Sequence, residues 1–552
     1  MRHVVVCAAA LGFGLSVLAE TITVPGDHDT IQAAINASSN GDVIEIAPGT
    51  YYEYDITPGG RAITIRGATD DDGNPLTTID AEMTPNFWVI KCIGGESSST
   101  KFEHLIITGG AGPTDDGAGA CGGMYNILSS PSVINCVFID NIGGMHNVQS
   151  SPQVLNCQFL YNTKRGMNNY GISRPIVTNC IFRGNQSTTY LGGGGMKNDA
   201  GASPTVTGCL FESNVAKYEE GGGVLNRGNS NSTYIGCTFI DNVAGNDGGG
   251  MCCENSITAV SNCLFQGNDA KSDGGGLCNQ SGGTLVVTDC MFIGNTAYEG
   301  GGMSSSGTPS VTECVFSQNT AQLRGGAIYS TFASSFSLTG STFFNNSAVE
   351  QFGGGVYIAN LNSGSITDCL FDSNSANSSD GGGLSTWGVD ELLSISNCMF
   401  RNNSAIQGGA INSQVDQDLV LTNTTFSHND SVTGAAIAIR CTWLTVDACK
   451  FRKNTSFAGS AIMREDCGTP TNGDCQITAT EFCGNSKPVI VGDWIDNGDN
   501  LFTDQCPMCP GDFDGSDTVD VSDLLAVIAE WNNPYTVEDL LLVISQWNST
   551  CP

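Results

Sequence analysis

One rhythm of apolar and polar positions runs through most of the chain. The string C-x-F-x-x-N recurs fourteen times between Cys136 and Asn485, as in NCVFIDN, NCLFQGN and DCMFIGN. Phe and Asn stand in every copy; Cys fills eleven, and Ser341, Thr424 and Thr480 fill the other three. Cys and Phe lie two apart, which puts both on one side of a strand. The residues between and after them, such as Val137, Arg183, Glu212, Gln266 and Arg401, are mixed or polar, as a water-facing side requires. After a variable spacer come two or three small residues, mostly Gly, and then an apolar one, as at Met145, Val224, Met251, Leu277, Met303, Ile328, Val356, Leu384 and Ile411. The mean period is about 26 residues, the length of one structural repeat. Glycine triplets at that interval exclude a helical repeat.

Short strands turned by Gly and Asn corners, repeated at the length of one wound turn, predict an all-β, parallel β-helix solenoid. Turns stacked about 4.8 Å apart pile equivalent residues into columns: Phe on Phe, thiol on thiol, and amide hydrogen-bonded to amide from Asn141 to Asn485. Asn is also expected there because it accepts left-handed backbone at a corner. Eighteen or so turns over residues 21–505 would form a rod on the order of 85 Å long. The cysteine column reads as small buried side chains, since neither CxxC nor His partners accompany it. Disulfides are expected outside the column: Cys467 and Cys475 bracket a loop, and Cys252 and Cys278 hold equivalent places in adjacent turns.

Both ends of the chain differ from this body. Arg2 and the apolar run from Val4 to Ala19 read as a secretory signal, residues 1–19, cleaved after Ala19. Export places the cysteines in an oxidising compartment. Residues 27–53 then predict a capping helix leading into the first turn, with Asp29 as helix cap, Gln32 three residues later, and Ile31, Ala34 and Ile35 as an apolar face that plugs the open end. Residues 20–505 form the solenoid. Residues 506–552 form a small helical module whose loop offers oxygen donors from Asp512, Asp514, Ser516, Thr518, Asp520 and Asp523, at positions one, three, five, seven, nine and twelve. That spacing suits one Ca²⁺, a hard ion taking six to eight oxygens, with Thr518 giving its backbone carbonyl. Cys509 and Cys551 flank the module and are placed to clasp it.

With 55 acidic against 21 basic residues and a net charge of -34, nucleic acid and anionic membranes are excluded as partners. Only 14% of residues are charged and 40% are hydrophobic, which excludes a disordered acidic tail. The acid groups have one ordered feature. The residue four before the apolar position of the second string is Glu220, Asp247, Asp273 and Glu299 in successive turns, then Arg324, and later Asp380. Superposed turns align these as a stripe that either holds a cation or cationic ligand, or is a solvated corner with its side chains splayed. Tyr218 and Tyr298 stand nearby as possible sugar-stacking groups.

The opening residues resemble those of right-handed parallel β-helix proteins of the pectin-lyase-like superfamily. The alternation in FSQNTAQLRGGAI is similar to the repeats of chlamydial polymorphic outer membrane proteins, which are surface adhesins. CPGDFDGSDTVDVSDLLAVIAEW followed by TVEDLLLVISQW resembles a dockerin-type module. That resemblance implies calcium and a cohesin-like partner, but the second loop, NNPYTVE, lacks the ligand pattern, so one calcium site is expected. No polygalacturonase-type N-T-D, G-H-G or R-I-K string and no Ser/His/Asp arrangement is present. The leading expectation is a secreted or cell-surface, non-catalytic, adhesin-like protein binding glycans or surface molecules. A polysaccharide lyase or hydrolase carrying a dockerin, and a purely structural extracellular rod, are the alternatives.

Overall fold

The computed structural model describes residues 19–113, 121–188, 192–465, 475–506, 512, 519, 521–529 and 537–546. Its body is a parallel β-solenoid. A representative turn contains the strands Val224–Arg227, Asn231–Ile235, Thr238–Ile240 and Val243–Ala244. Each pairs in parallel with its counterpart one turn later, with registers Val224↔Met251, Thr233↔Ala259, Phe239↔Phe265 and Val243↔Asp269. The result is a glycine-led sheet, a third sheet, the Phe sheet and a short two-residue ladder. Eighteen described strands stack in the Phe sheet, from Gly49–Tyr51 to Leu501–Thr503. From Val356 onward the glycine-led and third strands fuse into single long ones, Val356–Thr367, Leu384–Ser396, Ile411–Thr422 and Ile437–Asp447.

The interior is made of columns. Phe138 to Phe502 stack with near-parallel rings; Phe265 and Phe292 lie 4.8 Å apart and 3° from coplanar. The Asn column is a buried amide ladder. Asn268 Nδ2 donates to Asn295 Oδ1 (3.0 Å) and to Phe239 O of the preceding turn (2.9 Å), while Asn268 Oδ1 accepts from the Asn242 backbone (3.0 Å) and Nδ2 (2.9 Å). These asparagines are not the left-handed corner residues the sequence suggests. That conformation belongs to the residue just before each Asn (Asp140, Asp241, Asn402) and just before each Cys (Asn135, Asn262, Asp368). Two tight corners thus bracket the Phe strand of each C-x-F-x-x-N copy, and Asn, Asp and Gly gather there because they tolerate positive φ.

The cysteine column is also more than packing. Cys290 Sγ accepts the backbone N–H of Cys263 (3.4 Å), and each thiol donates to the carbonyl two residues earlier, as Cys263 does to Ser261 (3.2 Å). Ser341 does both with its hydroxyl, accepting from Cys314 N (3.1 Å) and donating to Thr339 O (3.0 Å). Thr424 and Thr480 do likewise, which is why hydroxyl residues substitute here. Cys252 and Cys278 are buried free thiols packed with Leu225, not a disulfide. Cys475 is a buried free thiol as well, so the expected bridge to Cys467 is not formed; Cys467, Cys509 and Cys551 lie outside the described residues. The chain closes Cys483–Cys506 instead, and Cys441 is also disulfide-bonded.

Gly249 and Gly250 show why glycines repeat. A Cβ on Gly249 would stand 2.5 Å from the carbonyl oxygens of Asp269 and Gly275. On Gly250 it would stand 2.5 Å from Gly276 O and 2.9 Å from the Phe265 ring.

At the N-terminal end, strand Thr21–Val24 precedes helix Ile31–Ala37 and pairs with Val43–Ile46. The helix buries Ile31, Ala34 and Ile35, and its cap is Thr30, which accepts from Ala33 N, rather than Asp29. Glu53 accepts from the free N–H groups of Ile31 and Gln32. Two helices, Val521–Ala529 and Val537–Ser545, lie near the C-terminus, with Val519, Val527 and Val543 buried together.

Candidate functional site

The outward side of the glycine-led sheet is where chemistry collects. Along each of its strands the first and third residues point inward, and the second points out. The outward column runs in register through Lys91, Tyr125, His146, Asn168, Lys197, Leu225, Cys252, Cys278, Ser304, Tyr329 and Tyr357. Those from His146 to Ser304 are nonetheless buried. The small-residue segment preceding each strand folds back across it: a Cβ on Gly248 would lie 2.6 Å from Cys252 Cβ.

The acid stripe forms part of this face. Backbone bonds hold its members one turn apart: Gly221 N to Asp247 O, Gly248 N to Asp273 O, and Gly274 N to Glu299 O. The side chains are not splayed into solvent. Asp247 is buried; its Oδ1 accepts from Asp273 N (2.9 Å) and its Oδ2 from Gln280 Nε2 (3.0 Å). Glu299 pairs with Arg324 (3.4 Å), whose Nε donates to Gln351 (2.8 Å). Glu220 accepts from Asn246 Nδ2 (3.3 Å). Burial, and then the charges of Asp247 and Glu299, push Asp273 up to about 7. Burial also raises Asp247 and Glu299, the latter against the pull of Arg324. Asp380, further along, is pushed up to about 6, again mainly by burial. Stacked Tyr329 and Tyr357 (5.7 Å) continue the row, with Arg324 over the Tyr357 ring at 5.5 Å. Tyr218 and Tyr298 are exposed. Among the described residues no three His, Cys, Asp or Glu side chains converge to hold a metal ion.

A basic cluster precedes the acid row. Asp199 Oδ2 accepts from both Lys197 Nζ (2.9 Å) and Arg227 Nε (3.0 Å). Burial pushes Asp199 up, but these two cations outweigh it and hold it below its ordinary value. Burial, reinforced by Arg165, brings Lys197 down to about 8. Beyond them Trp88 stacks on Tyr125 (4.8 Å) with Lys91 over Trp88 (4.8 Å). Sequence reading missed this cluster because its members share no residue type; they meet only through register.

Of the six calcium candidates, Asp514, Ser516, Thr518 and Asp520 lie outside the described residues; Asp523 is buried in the first turn of helix Val521–Ala529, and Asp512 is half-buried.

Residues 200–368 match the family model described as "Right handed beta helix region". A comparison with curated proteins finds no match. Among solved structures, a PL6-family alginate lyase is 11% identical, with 88% of this chain and 89% of that chain covered and a TM-score of 0.27. The catalytic unit of a thermostable GH87 alpha-1,3-glucanase from Streptomyces thermodiastaticus is 12% identical, covering 89% and 68%, with a TM-score of 0.21. PfbA, a surface adhesin of Streptococcus pneumoniae, is 11% identical, covering 77% and 87%, with a TM-score of 0.20. None of these likenesses bears on activity. The body of the chain is a right-handed parallel β-solenoid.

Proposed function

We propose that this is a secreted or cell-surface solenoid that binds glycans or surface molecules along the outward side of its glycine-led sheet, in the manner of an adhesin. One observation carries the reading: buried Asp247 and half-buried Asp273, Glu299 and Arg324 stand one per turn in a row that leads to stacked Tyr329 and Tyr357. Such a row offers hydrogen-bond acceptors, donors and ring faces at a fixed repeat, which is what an extended chain of hydroxyl-rich units needs. Glycan-array binding by the full chain, compared with the fourfold variant Glu220→Gln, Asp247→Asn, Asp273→Asn and Glu299→Gln, tests it. Binding should be abolished with the fold intact by circular dichroism; undiminished binding would remove the proposal.

A second reading, polysaccharide cleavage, is favoured by one observation. Two titratable groups shifted toward neutrality by burial, Lys197 at about 8 and Asp273 at about 7, lie on one face, three turns apart, so each would act at its own subsite. Release of shortened products from acidic polysaccharides would support it. Inertness in both assays would leave the structural rod. Among the described residues no helix is long and apolar enough to cross a membrane. We read residues 506–552 as a dockerin-like docking tail holding one Ca²⁺ and facing a cohesin-like or cell-surface partner, and helix Ile31–Ala37 as the lid on the solenoid's first turn. Calcium titration of the full chain, with Asp514→Ala as control, should raise the tail's helical signal in the parent only.

A further inference from the structure

We propose that Arg165, His146 and Lys197 form a receptor for one small oxyanion, a carboxylate, sulfate or phosphate group carrying a single negative charge. The argument is one of missing partners. Arg165 is 2% exposed; among the described residues its Nη2 donates to Gly192 O (3.3 Å), and its Nε has no hydrogen-bond partner. His146 is 1% exposed, and neither Nδ1 nor Nε2 has a partner. Its strand neighbours are Tyr125 and Asn168, with the Tyr125 ring edge-on at 5.6 Å. Among the described residues the cluster holds one carboxylate, already engaged: Asp199 Oδ2 serves Lys197 and Arg227, and its Oδ1 accepts from Ala200 N (2.7 Å). Arg227 is also balanced from its outer side by Glu219. What remains among the described residues is Arg165 and Lys197 against Asp199, one buried positive charge in surplus, together with unsatisfied N–H donors.

Burying an unpaired charge is costly, and a buried donor without an acceptor costs more again. Water could accept those hydrogen bonds but could not neutralise the charge. A planar guanidinium beside an ammonium and an imidazole N–H matches an oxyanion with several lone pairs. That a chain of net charge -34 places this surplus inside its fold is the anomaly the ligand removes. The inference rests on groups other than the acid row and stands whether or not that row binds glycan.

The test uses the full chain, histidine-labelled with ¹⁵N, titrated with sodium sulfate, sodium phosphate, a uronate oligosaccharide and a sulfated oligosaccharide at constant ionic strength. We expect saturable movement of the His146 ring signals with at least one probe, and at least tenfold weaker binding in Arg165→Gln and in Lys197→Gln. The conservative Arg165→Lys, which keeps the charge and loses the fork, should weaken binding less and covers a failure of Arg165→Gln to fold. Response to the inorganic ions identifies a free anion; response to the oligosaccharides alone identifies a substituent on a glycan. Silence of His146 toward all four probes, or variants that respond as the parent does, would overturn the proposal. The fourfold acid-row variant should keep the response, so the two hypotheses fail separately.

Discussion

Asn268→Ala probes the ladder on which the solenoid depends. The substitution removes two bonds accepted by Oδ1, from Asn242 N and Nδ2, and two donated by Nδ2, to Phe239 O and Asn295 Oδ1. Asn242 Nδ2 keeps Phe211 O, and Asn295 Oδ1 keeps the Asn268 backbone, but the buried Asn242 N–H is left without an acceptor. Stranding such a donor costs about 1–3 kcal/mol, and the lost bonds contribute about 1 kcal/mol each, not fully additively. The stranded donor and the three other bonds give about 4–6 kcal/mol as an upper bound, and their sharing of one ladder brings the expected loss to about 3 kcal/mol or more. Urea unfolding should show that loss relative to Asn231→Ala, a change at an exposed asparagine expected to fall within about 0.5 kcal/mol of the parent. Amide exchange localises the effect: protection should fall at Asn242, one turn back, more than at Asn295. If Asn268→Ala and Asn231→Ala unfold together and Asn242 stays protected, the ladder is decoration and the stability lies in the Phe column.

Further consequences can be measured the same way. Gly249→Ala, whose Cβ would meet two backbone oxygens at 2.5 Å, should abolish soluble folding, while Gly294→Asn, at a positive-φ corner with open space around it, should be near neutral in thermal unfolding. Asp273 has a folded pKa of about 7, above its unfolded value, so its contribution is fully present below the unfolded pKa and is lost as pH rises through 7. Asp273→Asn should therefore flatten the fall in stability between pH 4 and pH 8, and an unchanged slope would count against the buried row. Cys483 and Cys506 close a loop with a sequence separation of 23. Their replacement by Ser should cost about 3 kcal/mol in the last turns. Burial pushes the Cys449 thiol up to about 12, so iodoacetamide should leave it unmodified until denaturant is added.

The interior was legible because stacking enforces identity. Phe, Asn and Cys recur in C-x-F-x-x-N because each side chain touches its counterpart above and below, so a residue type that cannot make the same contacts breaks two at once; Ser341, Thr424 and Thr480 replace Cys because they keep them. The pattern does not distinguish a column's position from its role. Asn was assigned to the corner, one residue late, because an amide that tolerates positive φ and an amide that bridges turns leave the same letter in the sequence. A second ladder escaped notice. Asn126, Asn147, Asn169, Asn198 and Asn226 bond in series at 2.7–2.8 Å and end against Tyr234 OH. Its signal, an apolar residue two before each Asn as in Met145 and Asn147, was present but ran for five turns only.

The outward side obeys the opposite rule, and there the sequence is hardest to read. No neighbour demands identity, so Tyr125, His146, Asn168, Lys197, Leu225, Cys252 and Cys278 follow one another without a repeating type. The acid stripe was found because it repeats; the basic cluster does not repeat and emerges only once register is known. Burial was equally invisible, since it depends on the glycine-rich segment lying back over the following strand. That segment turns an exposed sheet face into a partly desolvated one, which is why burial raises Asp247 and Glu299 and pushes Asp273 up to about 7. The glycines that permit close winding are thus the same residues that give the outer row its chemistry, and a substitution such as Gly248→Ala should disturb Asp273 titration as well as stability.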